Sequence, residues 1–315
     1  MIVRSVLKSF LSDKAYDRLK DVYLRRRLPP AGLTSTEYWS RHHVTLNEQR
    51  DAAESRRFIR YRRRRYIGIT ELMPTAGHDG KTILDYGCGP GIESAAFGLE
   101  SKGITLICAD VSAPAIAKAK SLLALHNIEA RFIEIAHDGY EIDLQDGSVD
   151  LIHCSGVLHH TKHPVKILSE FSRLLRVGGE GQIMVYNYDC LYMHLYVSYL
   201  LMIKLEKYGG LRKREVFRKS TDGPNCPISE AWSVDEFMDM CRRCNLAVRF
   251  KGAAFDCVHE LGNLQQRFAA IYDEKLHEES RDFLYALTFD ERGLPLTNGR
   301  SAGMYACFHI SKHAV

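Results

Sequence analysis

The stretch that decides the fold is ILDYGCGPGIES, residues 83–94. An apolar run leads into three closely spaced glycines, Gly87, Gly89 and Gly91, and a helical pattern begins directly after them. A glycine turn between a strand and a helix lets the backbone approach a ligand closely. The spacing differs from the dinucleotide pattern G-x-G-x-x-G, because the third glycine comes one residue early. The Gly-Lys-Ser/Thr ending of a P-loop is absent, so the turn predicts a ligand site unlike these two phosphate-binding loops.

Short apolar strands alternate with helical patterns on both sides of this turn. Such alternation is typical of a parallel sheet with helices on both faces. The sequence therefore predicts an α/β, Rossmann-like, doubly wound and mainly parallel sheet. Its seven predicted strands are TILDYG, TLICAD, ARFIEI, VDLIHC, GQIMVYN, AVRFKGAAF and MYACFHI.

The sequence also predicts four parts along the chain. Residues 1–80 form a helical N-terminal extension or lid, and residues 81–189 form the ligand-binding core. An aromatic, mostly helical insertion at 190–230 is expected to form part of the substrate pocket. Residues 231–315 complete the core sheet and carry a helical insertion at 257–290. Within the extension, apolar residues at helical spacing predict one helix through residues 54–73 that Pro74 ends.

Composition favours a water-soluble protein inside the cell. The formal net charge is only +4, which does not indicate a nucleic-acid binder, whose positive charge is usually larger and more clustered. The most apolar run, residues 190–203, is too short to span a bilayer. Nine cysteines at uneven spacing, without an export signal, predict reduced thiols and a cytoplasmic location.

Five segments in the right order resemble the class I S-adenosylmethionine-dependent methyltransferases. The turn from Asp85 to Gly91 resembles motif I of that family, and Asp110 ends the following strand as the family's ribose-binding acid does. HDGYEIDLQDGSVD resembles the adenine-binding segment, although His137 replaces the usual glycine. CSGVLHHTKHP and RLLRVGGEGQIMVYN resemble the segments near the methyl group and the fifth strand. The resemblance covers about residues 83–187.

The resemblance implies S-adenosyl-L-methionine as the cofactor and assigns residues to it. The strand-end acid and the glycine turn would hold its amino-acid portion, where an ammonium group meets a carboxylate and a carboxylate meets amides at a helix start. The predicted cofactor-binding residues are Asp85, Gly87, Gly89, Gly91, Asp110, Val111, Asp138, Gly139 and Ser155.

Three side chains are candidate general bases for an acceptor that must lose a proton. His159 and His160 follow the fourth strand on the ligand side of the sheet, and Asp189 is the carboxylate that follows the fifth. A histidine pair at this place can equally order the loop or cap the next helix.

Two weaker signals concern nucleic acid and metal. Seven arginines fall between Arg56 and Arg65, which suits either a phosphate-binding patch or a solvated helix face that covers the cofactor. Cys241 and Cys244 have the spacing of a metal pair, but no second pair stands at zinc-finger distance, so we predict no metal site.

The sequence thus predicts a methyltransferase that methylates an oxygen, nitrogen or carbon atom of a small-molecule acceptor, with no membrane span. A homodimer is compatible with it. Three alternatives stay open at this point: an RNA methyltransferase that uses the arginine run, a non-catalytic module that binds the cofactor, and a dinucleotide oxidoreductase.

Overall fold

The computed structural model describes residues 29–42 and 49–312. The expected helical structure at 1–28 and 43–48 lies outside these residues. In the N-terminal part, helix α1 covers Ser35–Arg41 and α2 covers Ala52–Arg65. The two-residue strand β1, Tyr66–Ile67, and the short helix α3, Ile69–Leu72, follow.

The prediction of one continuous helix up to Pro74 is wrong. Helix α2 ends at Arg65 because Tyr66 and Ile67 pair with a strand of the main sheet, opposite Asp256 and Phe255. Gly68 then takes φ +94°, a left-handed conformation that separates α2 from α3 and that glycine adopts without steric cost. Sheet pairing outweighs the helical pattern of the arginine run here.

The core alternates strands and helices as predicted. Its elements are β2 Thr82–Tyr86, α4 Ile92–Glu100, β3 Thr105–Asp110, α5 Ala113–Ala124, β4 Arg131–Glu134, β5 Val149–Ser155, α6 Pro164–Leu174 and β6 Leu175–Tyr186. A 3₁₀ turn, Leu158–His160, follows β5.

The remaining elements include both insertions. They are a π-helix at Tyr192–Lys204, α7 Lys213–Ser220, α8 Val234–Arg243, β7 Ala247–Asp256, a 3₁₀ helix at Leu261–Gln266, α9 Arg267–Tyr272, α10 Glu278–Tyr285, β8 Thr288–Phe289, β9 Pro295–Thr297, β10 Arg300–Ser301 and β11 Tyr305–Ser311. The insertion at 257–290 is therefore three short helices rather than one long stretch.

The main sheet has the order β1-β7-β11-β6-β5-β2-β3-β4. All seven predicted strands are present, and the two-residue β1 adds an eighth at the edge. Strands β2 to β6 pair in parallel, and β11 is antiparallel to both β6 and β7. The strands β8–β10 form a separate small sheet that the sequence did not predict. Strand order reverses between β2 and β5, and ligands bind such sheets at that point, beyond the carboxyl ends of the strands.

Buried apolar side chains cover both faces of the sheet. One cluster centres on Leu84, Ile152 and Phe171, with α6 and α8 packed against it. Another, on the opposite face, holds Ile83 and Phe97 beneath α4. In the described part of the chain, no helix combines the length and the apolarity that a membrane span requires.

Candidate functional site

A cavity of about 710 Å³ opens at the carboxyl ends of the parallel strands. It runs from the glycine turn, past the ends of β5 and β6, to the π-helix and the end of β7. Eight of the nine predicted cofactor residues line it: Asp85, Gly87, Gly89, Asp110, Val111, Asp138, Gly139 and Ser155. His160 also lines the cavity, whereas Gly91, His159 and Asp189 do not.

The glycine turn is shaped by steric demands at two positions. A Cβ atom at Gly87, where φ is +73°, would lie 2.2 Å from the Cγ2 atom of Val157 across the cavity floor. At Gly91, where φ is +83°, it would lie 2.9 Å from the Cβ and 3.0 Å from the Cα of Ala119 in α5. Gly91 does not itself line the cavity, and its lack of a Cβ allows the close packing of α4 on α5.

The amides of the turn are largely used within the protein. Gly87 and Cys88 donate to the carbonyl of Ala109, and Gly89 donates to Oδ2 of Asp110 at 2.8 Å. Donors for a ligand carboxylate therefore lie further on, at the start of α4, where the first amides of a helix have no partner within it. This agrees with a ligand that places an anionic group at the helix start.

Two buried acids face the cavity. Asp85 is 2% exposed, accepts a hydrogen bond from the hydroxyl of Ser94, and has its pKa raised by burial. Asp110 is 8% exposed and accepts from the amides of Gly89 and Ser112, while burial raises its pKa as well. Burial keeps water away from both carboxylates. A cationic ligand group beside Asp85 and a diol beside Asp110 would supply interaction partners in place of that water. This donor set fits the ammonium and ribose groups of S-adenosylmethionine.

The predicted adenine segment lies under α1. Asp138 is paired with Lys162, whose Nζ lies 2.6 Å from its Oδ2, and its backbone N–H donates to the hydroxyl of Thr36 at 3.3 Å. Thr34 caps α1 and contacts the ring of His137 at 3.2 Å. Helix α1 therefore covers this end of the cavity through contacts with the segment that resembles the family's adenine site.

The structure separates the two histidines. Nδ1 of His160 lies 2.7 Å from the carbonyl of Ile228, so Nδ1 carries a proton and Nε2 faces the cavity. His159 is fully buried; its Nδ1 accepts the N–H of Tyr186 at 3.3 Å, and its ring stacks on the Tyr186 ring at 3.7 Å. Burial also lowers the pKa of His159 well below its usual range. His160 is therefore the base candidate of the pair.

A carboxylate that sequence reasoning missed stands beside His160. Oδ2 of Asp222 lies 3.4 Å from Nε2 of His160 and accepts a hydrogen bond from the Tyr186 hydroxyl at 2.9 Å. The backbone carbonyl of Asp222 accepts from the hydroxyl of Tyr38 in α1. The ring of Trp39 lies 4.8 Å from that of His160. Asp222 is the acid of the proline- and glycine-rich loop after α7, within the insertion at 190–230 that the sequence predicts as part of the substrate pocket.

Asp189 does not line this cavity. Its amide N–H and its carbonyl are both held by the Asn187 side chain after β6. It borders a second depression with Asp235 and Arg300, and burial raises the pKa of its carboxyl. Among the three predicted bases, His160 is therefore the one that lines the main cavity.

The far half of the cavity is lined with aromatic side chains. Tyr186 and Tyr305 stand on neighbouring strands, with ring centroids 6.0 Å apart. Tyr192 and Tyr196 of the π-helix lie 4.8 Å apart and face the ring of His259. This half of the cavity suits a planar acceptor, because aromatic walls bind rings by stacking and edge contacts.

The arginine run is neither a simple solvated face nor a continuous basic patch. Arg63 is 8% exposed and pairs with Glu100 at 2.9 Å, and Arg65 pairs with Asp256 at 3.2 Å. Arg62, Arg63 and Arg65 line the cavity. Helical spacing does not predict this location, because it depends on which strand the helix contacts. Among the described residues, no group of three metal-ligating side chains has the geometry to hold a metal ion.

Comparison with known proteins agrees with this geometry. Residues 84–181 match a family model described as a methyltransferase domain. The chain is 26% identical to a ubiquinone biosynthesis O-methyltransferase of Pseudomonas paraeruginosa, over 55% of this chain and 71% of that protein. It is 33% identical to the protein of the same description from Cupriavidus pinatubonensis, over 33% of this chain and 41% of that protein. Apart from the first, the curated relatives are matched over less than half of their length.

A solved structure supports the fold. A chain in the complex of a Haloferax volcanii methyltransferase with the Trm112 methyltransferase activator aligns with a TM-score of 0.50 and 17% identity. The alignment covers 85% of the present chain and all of that one. At this identity the likeness concerns the fold and leaves the acceptor open.

Proposed function

Because this chain belongs to the class I S-adenosylmethionine-dependent methyltransferases, we propose that it methylates a hydroxyl group on a small aromatic acceptor, with His160 as the general base. S-adenosylmethionine supplies an electrophilic methyl group on its sulfonium. The protein must then orient the acceptor, exclude water and remove the hydroxyl proton.

The observation that carries this proposal is the contact between His160 and Asp222. With Nδ1 bonded to the carbonyl of Ile228, Nε2 is the ring nitrogen that would take the proton of an acceptor hydroxyl, and it lies next to Oδ2 of Asp222. As the oxygen gains the methyl group, Nε2 takes its proton. The Asp222 carboxylate, 3.4 Å from Nε2, stabilises the imidazolium that forms. The hydroxyl of Tyr186 holds Asp222 in place.

The aromatic wall and the relatives support an aromatic hydroxyl rather than an amine or carbon acceptor. Tyr186, Tyr192, Tyr196 and Tyr305 offer ring contacts next to the proposed base. The relatives from Pseudomonas paraeruginosa and Cupriavidus pinatubonensis are described as O-methyltransferases, which we extend to this chain as part of the proposal. The RNA alternative is not favoured, since Arg63 is buried against Glu100 rather than displayed for phosphate.

The predicted division of the chain becomes part of this proposal. Helix α1 in the 1–80 segment acts as a lid, 81–189 holds the cofactor, and 190–230 shapes the acceptor pocket, with 231–315 completing the sheet. The lid is supported by the contacts of Thr36 and Tyr38 with Asp138 and Asp222. A cytoplasmic location is supported by all nine cysteines being free thiols. A homodimer stays a prediction.

A methyl-transfer assay with catechol tests the function, and Asp222→Asn tests the role of the carboxylate. Wild type should form the monomethyl ether, and Asp222→Asn should lower kcat by about ten- to a hundredfold, because a neutral amide stabilises the imidazolium less. The exposed Asp239 offers a matched control, Asp239→Asn, that should keep wild-type kcat. Unchanged kcat in Asp222→Asn would remove the carboxylate from the mechanism, and methylation of amines but not catechol would refute hydroxyl transfer.

A further inference from the structure

An arginine at the far end of the cavity is anchored on one side only. Arg65, the last residue of α2, donates from Nη2 to Oδ2 of Asp256 at 3.2 Å. Asp256 ends β7, is 2% exposed, and accepts the amides of Val258 and His259 on its other oxygen. Both oxygens of the Asp256 carboxylate therefore have hydrogen-bond partners within the protein. Asp256 holds the Arg65 guanidinium in place.

The rest of this guanidinium has donors to spare. Arg65 lines the cavity, and its Nε is buried without a hydrogen-bond partner anywhere in residues 29–42 and 49–312. A buried charged donor without a partner is unfavourable, and a planar guanidinium presents its remaining N–H groups in a fork that matches a carboxylate. The Arg65 side chain as a whole is 41% exposed, so an oxygen ligand in the cavity can reach the N–H groups that Asp256 leaves unused.

The strand spacing gives the scale of the acceptor, since the Tyr186 hydroxyl holds Asp222 next to the proposed base. Tyr186 ends β6 and Asp256 ends β7, and β11 lies between these strands. Two strand spacings amount to about 10 Å. A hydroxylated ring with a short side chain spans this distance with its hydroxyl at one end and its side-chain terminus at the other.

We propose that Arg65, held by Asp256, binds a carboxylate on the acceptor at the end opposite the methylated hydroxyl. The acceptor is then a hydroxylated aromatic acid, and Arg65 determines specificity without taking part in the proton transfer. This inference rests on the proposed hydroxyl-directed function of the same cavity.

Binding of a matched pair of probes to the full chain loaded with S-adenosylhomocysteine tests the proposal. The probes are dihydrocaffeate, a catechol with a propionate side chain, and its neutral primary amide. From thermal-shift titrations we expect wild type to bind the acid at least about tenfold more tightly than the amide, as charge-assisted hydrogen bonds predict. Arg65→Gln should reduce this preference to about twofold or less. Arg64→Gln, which removes the same charge from an exposed neighbour in the same helical turn, should keep it.

The outcomes separate this inference from the proposed function, because binding needs no turnover. A preference for the acid that disappears in Arg65→Gln supports the subsite even if neither probe is methylated, and that combination would refute only hydroxyl transfer. Equal or absent binding of the two probes in wild type, or an undiminished preference in Arg65→Gln, overturns the subsite. If Arg65→Gln fails to fold, Arg65→Lys replaces it and should retain an intermediate preference, since it keeps the charge but loses the fork.

Discussion

Replacing His160 with glutamine should lower kcat for catechol methylation by about a hundred- to a thousandfold, the usual contribution of a general base. Glutamine can still donate to the carbonyl of Ile228, so the loop keeps its contact while the cavity loses the basic nitrogen. Affinity for S-adenosylhomocysteine should stay close to wild type. Steady-state kinetics with product titration separates the two effects.

The neighbouring histidine provides the contrast. His159→Gln disturbs a fully buried ring that packs on Tyr186 and lies outside the cavity, so it should lower the free energy of unfolding by about 1–3 kcal/mol. The fraction that folds should keep most of its kcat. A His160→Gln enzyme with wild-type kcat would contradict the assigned base.

The second large effect is a loss of stability at Gly91. Gly91→Ala should lower the free energy of unfolding by about 3 kcal/mol, the sum of left-handed strain and the clash with the backbone of α5. Gly89→Ala is a matched comparison, because Gly89 also has positive φ but no atom within 4 Å of its Cβ position. It should cost only about 1–2 kcal/mol.

The losses of affinity for S-adenosylhomocysteine should rank the two variants in the order opposite to their losses of stability. Gly89 lines the cavity and Gly91 does not, so Gly89→Ala should weaken binding of S-adenosylhomocysteine more than Gly91→Ala does. Urea unfolding and calorimetric titration of both variants measure the two quantities. Equal losses of stability, or weaker binding in Gly91→Ala than in Gly89→Ala, would contradict the roles of Gly91 in packing and of Gly89 in ligand binding.

The core fold could be predicted because its signals are local. Each strand of the main sheet except β1 is a short apolar run, and each strand-to-helix turn carries its own glycines or acids, as at Asp85 and Asp110. These acids lie at strand ends, so the topology of a parallel sheet brings them to one edge without any knowledge of long-range contacts. The same reasoning correctly placed His160 at that edge.

The rest depended on contacts between distant parts of the chain. Arg65 and Asp256 are 191 residues apart, and Tyr38 reaches Asp222 across 184. No sequence periodicity links such positions. The sequence therefore predicts the arginine run as one face of a helix and does not identify Asp222 as a site residue. Asp189 and Gly91 show the reverse case: each lies in a segment that reaches the cavity, but neither lines the cavity itself.

The central claim is that the glycine turn and Asp110 hold S-adenosylmethionine, and calorimetric titration with S-adenosylhomocysteine tests it most directly. Wild type and the exposed control Asp143→Ala should bind the product with similar Kd, and NAD should not bind. Asp110→Ala should bind it at least about tenfold more weakly, because the ribose loses charge-assisted hydrogen bonds. Binding of NAD in place of S-adenosylhomocysteine, or full affinity in Asp110→Ala, would contradict the account.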